Sequence, residues 1–256
     1  MSLKFSIITV CYNSEKTIER TILSVLAQTY QNFEYIIVDG ASTDGTIDII
    51  KGYKDKYPCK IKIISEKDDG IYDAMNKGIK LATGDLIGIV NSDDYYEQDA
   101  LDNVLQVYDE KKYEIIYGML RTLKNDKEVS IYIKNHQWIE EDMITHPTCF
   151  VTRAVYEDYG VYSLEYPFSA DYEFMLRMSR NHQVTFQPVY KIISNFSLDG
   201  ASASIYGYID TLKLKHLYGL ISSRSFFLKI TRCKLLVIYK ILKSRLAWLR
   251  TLRGKY

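Results

Sequence analysis

Cysteine, histidine and long apolar runs are all sparse or scattered in this sequence. The four cysteines form no CxxC pair and the four histidines show no HxxxH spacing, which argues against a disulfide framework or a structural zinc site and fits a reducing cytoplasm. No Gly-x-x-x-x-Gly-Lys-Ser/Thr or Gly-x-Gly-x-x-Gly motif is present, so ATP hydrolysis and Rossmann-type dinucleotide binding lose support.

No uncharged apolar stretch reaches the roughly 18 residues that a membrane-spanning helix needs. The longest candidate, Phe226–Leu242, contains four lysines or arginines, so a transmembrane helix is disfavoured. The N-terminus runs directly into a strand-like segment, and we therefore expect no signal peptide.

The 256 residues, 47% of them hydrophobic, suffice for one large core or for a domain plus an appendage. The net charge of +1 hides an uneven distribution. Residues 206–256 hold twelve Lys or Arg and one acid, whereas 1–205 hold 21 basic and 31 acidic residues. We therefore predict a domain over 1–205 and a basic, amphipathic helical segment over 206–256 with a surface as its partner.

The first 120 residues alternate strand-like and helix-like segments, which predicts an α/β fold with a mostly parallel sheet. Short runs rich in Ile or Val predict buried strands at Phe5–Val10, Tyr35–Val38, Ile61–Ile64, Leu86–Val90 and Ile115–Tyr117. Helical periodicity predicts helices at Glu15–Gln28, Thr46–Lys56, Tyr72–Leu81 and Ala100–Glu110, with Ser14 and Asp44 as caps of the first two.

The pattern is less regular between about 120 and 205. Lys127–Lys134 alternates like an edge strand, and Asp171–Arg180 has helical periodicity. Two further strands are predicted near Val184–Gln187 and Lys191–Phe196.

Polar residues follow each of the first four strands. Because ligands of open α/β sheets bind at the carboxyl ends of the strands, these four loops could form one rim. The loops are Cys11–Ser14, Asp39–Gly45, Glu66–Gly70 and Asn91–Asp94.

The Asn91–Asp94 loop offers hard oxygen ligands for Mg²⁺ or Mn²⁺, which a diphosphate substrate needs as its leaving group gains charge. An Asp-rich turn or helix cap would look the same. Asp39, after a buried strand, could accept hydrogen bonds from a base or ribose, or could simply form a turn. Gly70 would let backbone approach a ligand, and Tyr72 and Asn76 would lie on a helix at the rim; an ordinary amphipathic helix is the alternative.

These segments together resemble the family 2 glycosyltransferases, which have the GT-A fold. The resemblance covers about 1–205 and points to the bacterial branch that serves O-antigen, capsule and exopolysaccharide assembly. The matching pieces are Ile7–Asn13, Gln28–Tyr30, Glu34–Gly40, Ser42–Thr46, Asp69–Gly78 and Asn91–Asp94.

The resemblance implies a set of residues that bind the nucleotide sugar and its metal ion. Thr9 and Tyr12 would line the uridine pocket and Asp39 would bind the base. Asp93 would sit in the Asp-x-Asp metal motif, where Asn91 replaces the first acidic residue but still offers a neutral oxygen, and Asp94 would assist with metal or ribose. The remaining predicted nucleotide-sugar residues are Asn13, Gly70, Asn76 and Ser92.

The family also places a catalytic Asp before a helix that bears an Arg, a pattern that Asp171 and Arg177 fit, and Arg177 would then lie on the acceptor or diphosphate side. Asp171 would be the general base that takes the proton of the acceptor hydroxyl, although it could also cap the helix. His146 resembles a segment on the acceptor side, and Gly200 and Ser202 resemble a loop that could close over the diphosphate.

The basic segment is predicted to bind an anionic membrane surface, since aromatic, Leu and cationic residues alternate there. A helical pair packed on the domain is the alternative.

The predicted protein is an inverting enzyme, peripheral on the cytoplasmic face of the membrane. It would move a hexose or N-acetylhexosamine from a UDP-sugar to a lipid-linked glycan, and no nucleic acid is expected to bind. Two alternatives stay open: a nucleotidyltransferase, and a non-catalytic subunit of a polysaccharide assembly complex. The sugar and the oligomeric state are left open.

Overall fold

The computed structural model describes residues 3–198 and 205–253, and for residue 238 and residues 240–253 it describes the backbone alone. The chain divides into two compact units, 1–200 and 201–256. The first unit contains a sheet, and the second contains two helices.

The described residues contain nine strands in one sheet. In chain order they are β1 (Phe5–Cys11), β2 (Phe33–Asp39), β3 (Ile61–Ser65), β4 (Leu86–Ile89), β5 (Tyr95–Tyr96), β6 (Glu114–Lys124), β7 (Lys127–Tyr132), β8 (Phe150–Thr152) and β9 (Thr185–Ser197). The helices of the first unit are α1 (Ile18–Leu26), α2 (Thr46–Lys56), α3 (Ile71–Leu81), α4 (Ala100–Val107), α5 (Arg153–Tyr159) and α6 (Ala170–Ser179).

The half of the sheet formed by β1 to β4 is parallel. Its strand order is β3-β2-β1-β4-β8-β6-β9-β5, and β7 pairs with β6 outside this path. Strands β1 to β4 run parallel, β8 is antiparallel to both of its neighbours, and β6 and β9 are parallel. The register aligns Cys11 with Asp39 and Asp39 with Ser65, so the first three strands end in one row.

Helices cover both faces of this half, which explains why β1 and β2 are apolar at almost every position. One face packs on α1, α2 and α4 through buried residues such as Ile22, Ile50 and Leu101. The other face packs on α3, where a Cβ added to Gly78 would lie 2.5 Å from the Ile8 side chain. Glycine at this helical position therefore lets α3 approach β1 closely.

Several predicted elements need correction. Helix α1 begins at Ile18, because the Ser14 carbonyl accepts the N–H groups of Thr17 and Ile18 in a preceding turn, so Ser14 is not a side-chain cap. Helix α4 ends at Val107, well before Glu110, whose φ of 55° is left-handed.

The two strands predicted near 184–187 and 191–196 form the single strand β9. Its register against β6 shifts after Val189, next to Pro188, which has no N–H for the ladder. The sequence pattern also missed β5, β8 and α5. Helix α2 runs from Thr46 to Lys56 as predicted.

The second unit is a helical pair, α7 (Ile205–Leu217) and α8 (Ser223–Arg253). Gly219, with φ of 73°, lies in the turn between the helices, and His216 stacks on Phe226 with 4.4 Å between ring centroids. Among the described residues, no helix is both long and apolar enough to cross a membrane.

Candidate active site

Asp39, at the end of β2, is fully buried in a set of hydrogen bonds. Its carboxylate accepts from the Ser65 hydroxyl at 2.6 Å, from the Ser42 N–H at 3.1 Å and from the Ser42 hydroxyl. Burial, and then the charge of Asp39, raises the pKa of the neighbouring Cys11 thiol. Asp39 therefore ties together the ends of three strands; its predicted role in binding the base stays a prediction.

The first, second and fourth rim loops are also joined through side chains. The Asn13 N–H donates to the Ser42 hydroxyl and its Oδ1 accepts from the Thr43 N–H, both at 2.8 Å. The Ser14 and Ser92 hydroxyls lie 2.8 Å apart. Asn13 and Ser92, both predicted donor contacts, thus lie within one connected rim.

The loop after β3 reaches the same place. A Cβ added to Gly40 would lie 2.5 Å from Asp68 Oδ2 and 3.5 Å from the Tyr12 ring. Tyr12 is 62% exposed and is therefore accessible to a ligand. Thr9, by contrast, is fully buried and accepts the Tyr35 hydroxyl at 2.9 Å. The structure therefore brings Tyr12 to the rim but not the Thr9 side chain.

Helix α1 holds the loop Asn91–Asp94. Arg20 Nη2 donates to the Asp93 carbonyl at 2.9 Å, and the Thr21 hydroxyl donates to the Asp94 carbonyl at 2.6 Å. The Arg20 guanidinium also lies 4.7 Å from the centroid of the Tyr95 ring. Sequence reasoning missed Arg20 and Thr21, because nothing in a helical pattern shows which loop a side chain reaches.

The oxygens of this loop fit a hard divalent cation. Asp94 Oδ1 accepts the Ser197 N–H at 3.1 Å, whereas the buried Asp94 Oδ2 and Asn91 Oδ1 have no hydrogen-bond partner among the described residues. Burial and the charge of Asp93 raise the pKa of Asp94 well above its usual value. Burial also raises the pKa of Asp93, and the nearby Arg20 opposes that shift.

A cation would satisfy both unpartnered oxygens and relieve the repulsion between the two carboxylates. Within residues 3–198 and 205–253, however, no three His, Cys, Asp or Glu side chains cluster as a metal site would require. The protein therefore offers only a partial ligand set, and the substrate diphosphate or water would have to complete it.

Asp171 lies in the first turn of α6 and is half-buried. Its Oδ1 accepts the Tyr72 hydroxyl at 2.8 Å and the Tyr172 N–H at 2.9 Å. Tyr72 belongs to α3, which begins directly after Gly70 of the third rim loop, where φ is 109°. Helix α3 thus connects the rim with the predicted base.

Three of the predicted site residues bind neighbouring segments of the chain. His146 is buried and its Nε2 lies 2.8 Å from the Tyr162 hydroxyl; burial lowers the pKa of His146, and the charge of Asp171 opposes that shift. Asn76 exchanges two hydrogen bonds with the Tyr162 backbone, at 2.9 and 3.0 Å. Arg177 binds Glu173 and the Val161 carbonyl.

His146 and Asn76 thus both bind Tyr162, whereas Arg177 binds the carbonyl of the preceding residue, Val161; the predicted substrate roles of all three stay predictions. Gly200 and Ser202, predicted for the diphosphate loop, lie outside the described residues.

Parallel strands that end in acidic and hydroxyl-bearing loops form the edge at which α/β enzymes bind their ligands. Residues 6–160 match the family model described as Glycosyl transferase family 2, and the chain belongs to that family. It is therefore a glycosyltransferase, and the nucleotidyltransferase alternative loses its support. Asp171 and Arg177 lie outside the matched segment.

Relatives and solved structures agree with this assignment. The chain is 28% identical over 204 residues to the PGL/p-HBAD biosynthesis glycosyltransferase of Mycobacterium bovis, covering 75% of this chain and 76% of the relative. The crystal structure of S. aureus TarS 1–349 in complex with UDP has a similar fold, with a TM-score of 0.67 and 22% identity over 86% of this chain and 67% of the TarS 1–349 chain.

The mannosyltransferase PcManGT of Pyrobaculum calidifontis, solved with GDP-Man and Mn²⁺, is similar with a TM-score of 0.61 and 16% identity, over 90% of this chain and 68% of that protein. The predicted GT-A fold is thereby confirmed.

Proposed function

We propose that this glycosyltransferase moves a hexose or N-acetylhexosamine from a UDP-sugar to a hydroxyl of a lipid-linked glycan in bacterial surface polysaccharide assembly. The observation that carries the proposal is the chain of contacts from the Asp39 and Asp94 loops, through the third rim loop and α3, to Asp171. The UDP complex of TarS and the GDP-Man complex of the mannosyltransferase support a nucleotide-sugar donor.

The carboxylate of Asp171 would take the proton of the acceptor hydroxyl. The acceptor oxygen attacks the anomeric carbon as the bond from that carbon to the diphosphate oxygen breaks, which inverts the configuration and releases UDP. One positioned base contributes about 10²–10⁴-fold to such a step. Mn²⁺ or Mg²⁺ held by Asp93, Asp94 and Asn91 would supply positive charge beside the departing diphosphate.

The test is a panel of UDP-sugars assayed for UDP release, with a membrane lipid extract as acceptor and with or without Mn²⁺. Asp171→Asn should lower turnover at least about 100-fold, because the amide cannot take the proton. Asp55→Asn, at an exposed position on α2, is the matched control and should keep full activity. Turnover of Asp171→Asn within about tenfold of the parent would contradict the proposal.

We also propose that α8 binds the inner face of the cytoplasmic membrane. Its residues 223–253 contain no acidic side chain. Phe227, Leu228, Leu235 and Tyr239 are each at least 60% exposed. Leu228, Leu235 and Tyr239 fall on one face of the helix, since they are spaced by seven and four residues. An exposed apolar face with cations on it and beside it suits an anionic lipid surface.

Sedimentation of the full-length protein with phosphatidylglycerol vesicles tests this proposal. Replacing Lys229 and Lys234 by Gln should weaken binding about 30-fold, because each cation near an anionic surface contributes about 1 kcal/mol. The same double change at Lys51 and Lys127, which are exposed on the first unit, should have little effect. Equal binding by both double variants, or undiminished binding to phosphatidylcholine vesicles, would refute the electrostatic anchor.

A further inference from the structure

The two oxygens of the Asp171 carboxylate have different surroundings. Oδ1 accepts two hydrogen bonds, from the Tyr72 hydroxyl at 2.8 Å and from the Tyr172 N–H at 2.9 Å. No residue in the described part of the chain donates a hydrogen bond to Oδ2. One oxygen is therefore fixed by the protein, while the other keeps its lone pairs for a ligand.

Tyr72 is itself held firmly. It is 7% exposed, and its ring packs against the Tyr162 ring with 5.7 Å between centroids. Asn76, one helical turn further along α3, binds the Tyr162 backbone with both ends of its amide. The Tyr162 hydroxyl in turn lies 2.8 Å from His146 Nε2. Tyr72 thus reaches Asp171 from a framework that restricts its rotation.

The Tyr72 hydroxyl also stays protonated and therefore remains a hydrogen-bond donor. Burial, and then the charge of Asp171, raises the pKa of its phenol, so the hydroxyl keeps its proton at any pH at which the protein works. A short hydrogen bond from a neutral donor to a carboxylate is charge-assisted and stronger than one between neutral groups.

The position of Tyr72 connects the base with the donor side of the site. It is the second residue of α3 and lies two residues after Gly70, whose N–H donates to Asp68 Oδ1 at 3.1 Å. Asp68 is the residue that a Cβ on Gly40 would meet. The loop that borders Gly40 and Tyr12 therefore leads within two residues to the side chain that fixes Asp171.

We propose that Tyr72 is a positioning residue: it anchors Asp171 Oδ1 so that Oδ2 is the oxygen that takes the proton of the acceptor. The proposal rests on Asp171 acting as the general base. A misplaced base costs turnover much more than donor affinity, and a displacement of about 1 Å can cost about 100-fold.

The first test is Tyr72→Phe, which removes the hydroxyl and keeps the ring. With UDP-N-acetylglucosamine or whichever UDP-sugar of the panel gives the highest turnover, kcat should fall about 10–100-fold while KM for the donor changes less than about twofold. The matched control is Tyr117→Phe, which removes another buried phenol hydroxyl, one that lies 2.8 Å from His136 Nδ1 and away from the Tyr162 framework. It should leave kcat nearly unchanged. A kcat of Tyr72→Phe within twofold of the parent would overturn the proposal.

Two further measurements separate this inference from the proposed function. In an Asp171→Asn background, Tyr72→Phe should cause no additional loss, because both changes act through one group. In protein labelled with 3-fluorotyrosine, the ¹⁹F signal that disappears in Tyr72→Phe should shift in Asp171→Asn, without any substrate present.

The outcomes are distinguishable. If Asp171→Asn is inactive and Tyr72→Phe behaves like the parent, the base assignment survives and the positioning role is refuted. If Asp171→Asn retains turnover, the base assignment fails and the positioning role fails with it, even if the ¹⁹F signal shifts. An additional loss in the double variant would show that Tyr72 acts on substrate directly, which also overturns the proposal.

Discussion

Replacing Glu34 by Gln should weaken the fold at neutral pH, and weaken it progressively less as the pH falls from about 4.5 toward 2. Glu34 is buried near the start of β2, at the opposite edge of the sheet from the site. Its carboxylate accepts from the Ser6 hydroxyl at 2.6 Å, the Lys62 ammonium at 2.7 Å, and the N–H and hydroxyl of Thr83 at 2.6 and 2.8 Å. Lys4 adds an ion pair at 3.3 Å.

The magnitude follows from the pKa of this carboxyl group. Burial alone would raise it, but the hydrogen bonds from Lys62, Ser6 and Thr83 outweigh burial and lower the pKa from 4.5 to about 2. That difference corresponds to about 3 kcal/mol of stability for the ionised form. The side chains of Lys4 and Lys62 are 38% and 47% exposed, so solvent screens their share, and we expect about 2 kcal/mol.

The sign of the pH dependence is fixed by the lowered pKa. The ionised carboxylate stabilises the fold fully above about pH 4.5, and this contribution disappears as the pH falls toward 2. Urea unfolding followed by circular dichroism at pH 7, 5 and 3 should therefore give nearly the same difference between parent and Glu34→Gln at pH 7 and 5, and a clearly smaller difference at pH 3. Glu110→Gln, at an exposed position, is the control. A difference that stays constant from pH 7 to 3 would refute the reasoning.

Two other changes test the packing of α3 and the metal loop. Gly78→Ala should lower the free energy of unfolding by about 1–3 kcal/mol, because its Cβ would meet Ile8 at 2.5 Å. Gly52→Ala has open space around the new Cβ and should raise the free energy of unfolding by about 0.5–1 kcal/mol. Urea titration of both variants checks these two values. Asn91→Asp should bind Mn²⁺ about tenfold more tightly than the parent, because it adds a carboxylate beside Asp94. In thermal unfolding, Mn²⁺ should therefore raise the Tm of this variant more than it raises the Tm of the parent. An equal rise in Tm would contradict a cation in this loop.

The predictable part of the fold is the part with strong local signals. Strands β1 and β2 are buried on both faces and read as continuous apolar runs, and α2 lies between a turn and a Pro-containing loop. Strand β8 has only three residues, and its place between β4 and β6 depends on antiparallel pairing with residues far away in the chain. Such pairing leaves no periodic mark in the sequence.

The candidate site divides in the same way. The rim loops were predictable because parallel strands align their carboxyl ends: Asp39 is the last residue of β2, and Asp93 lies in the loop after β4. The side-chain contacts that support these loops were not predictable. Tyr72 and Asp171 are 99 residues apart, and Arg20 reaches Asp93 across 73 residues. Only the folded chain shows these pairs, since a helix presents the same pattern whichever loop it meets.

The saturated environment of Asp39 has a consequence for mutational scanning. Because Ser42 and Ser65 already occupy its carboxylate, most substitutions there would loosen three strand ends together. A library selected merely for folded, protease-resistant protein should already reject changes at Asp39. The same library should accept many residues at position 12, because Tyr12 is exposed. The residues tolerated there should become few only when the selection requires sugar transfer. Comparing the two selections would thus separate architecture from recognition, position by position, before any ligand is identified.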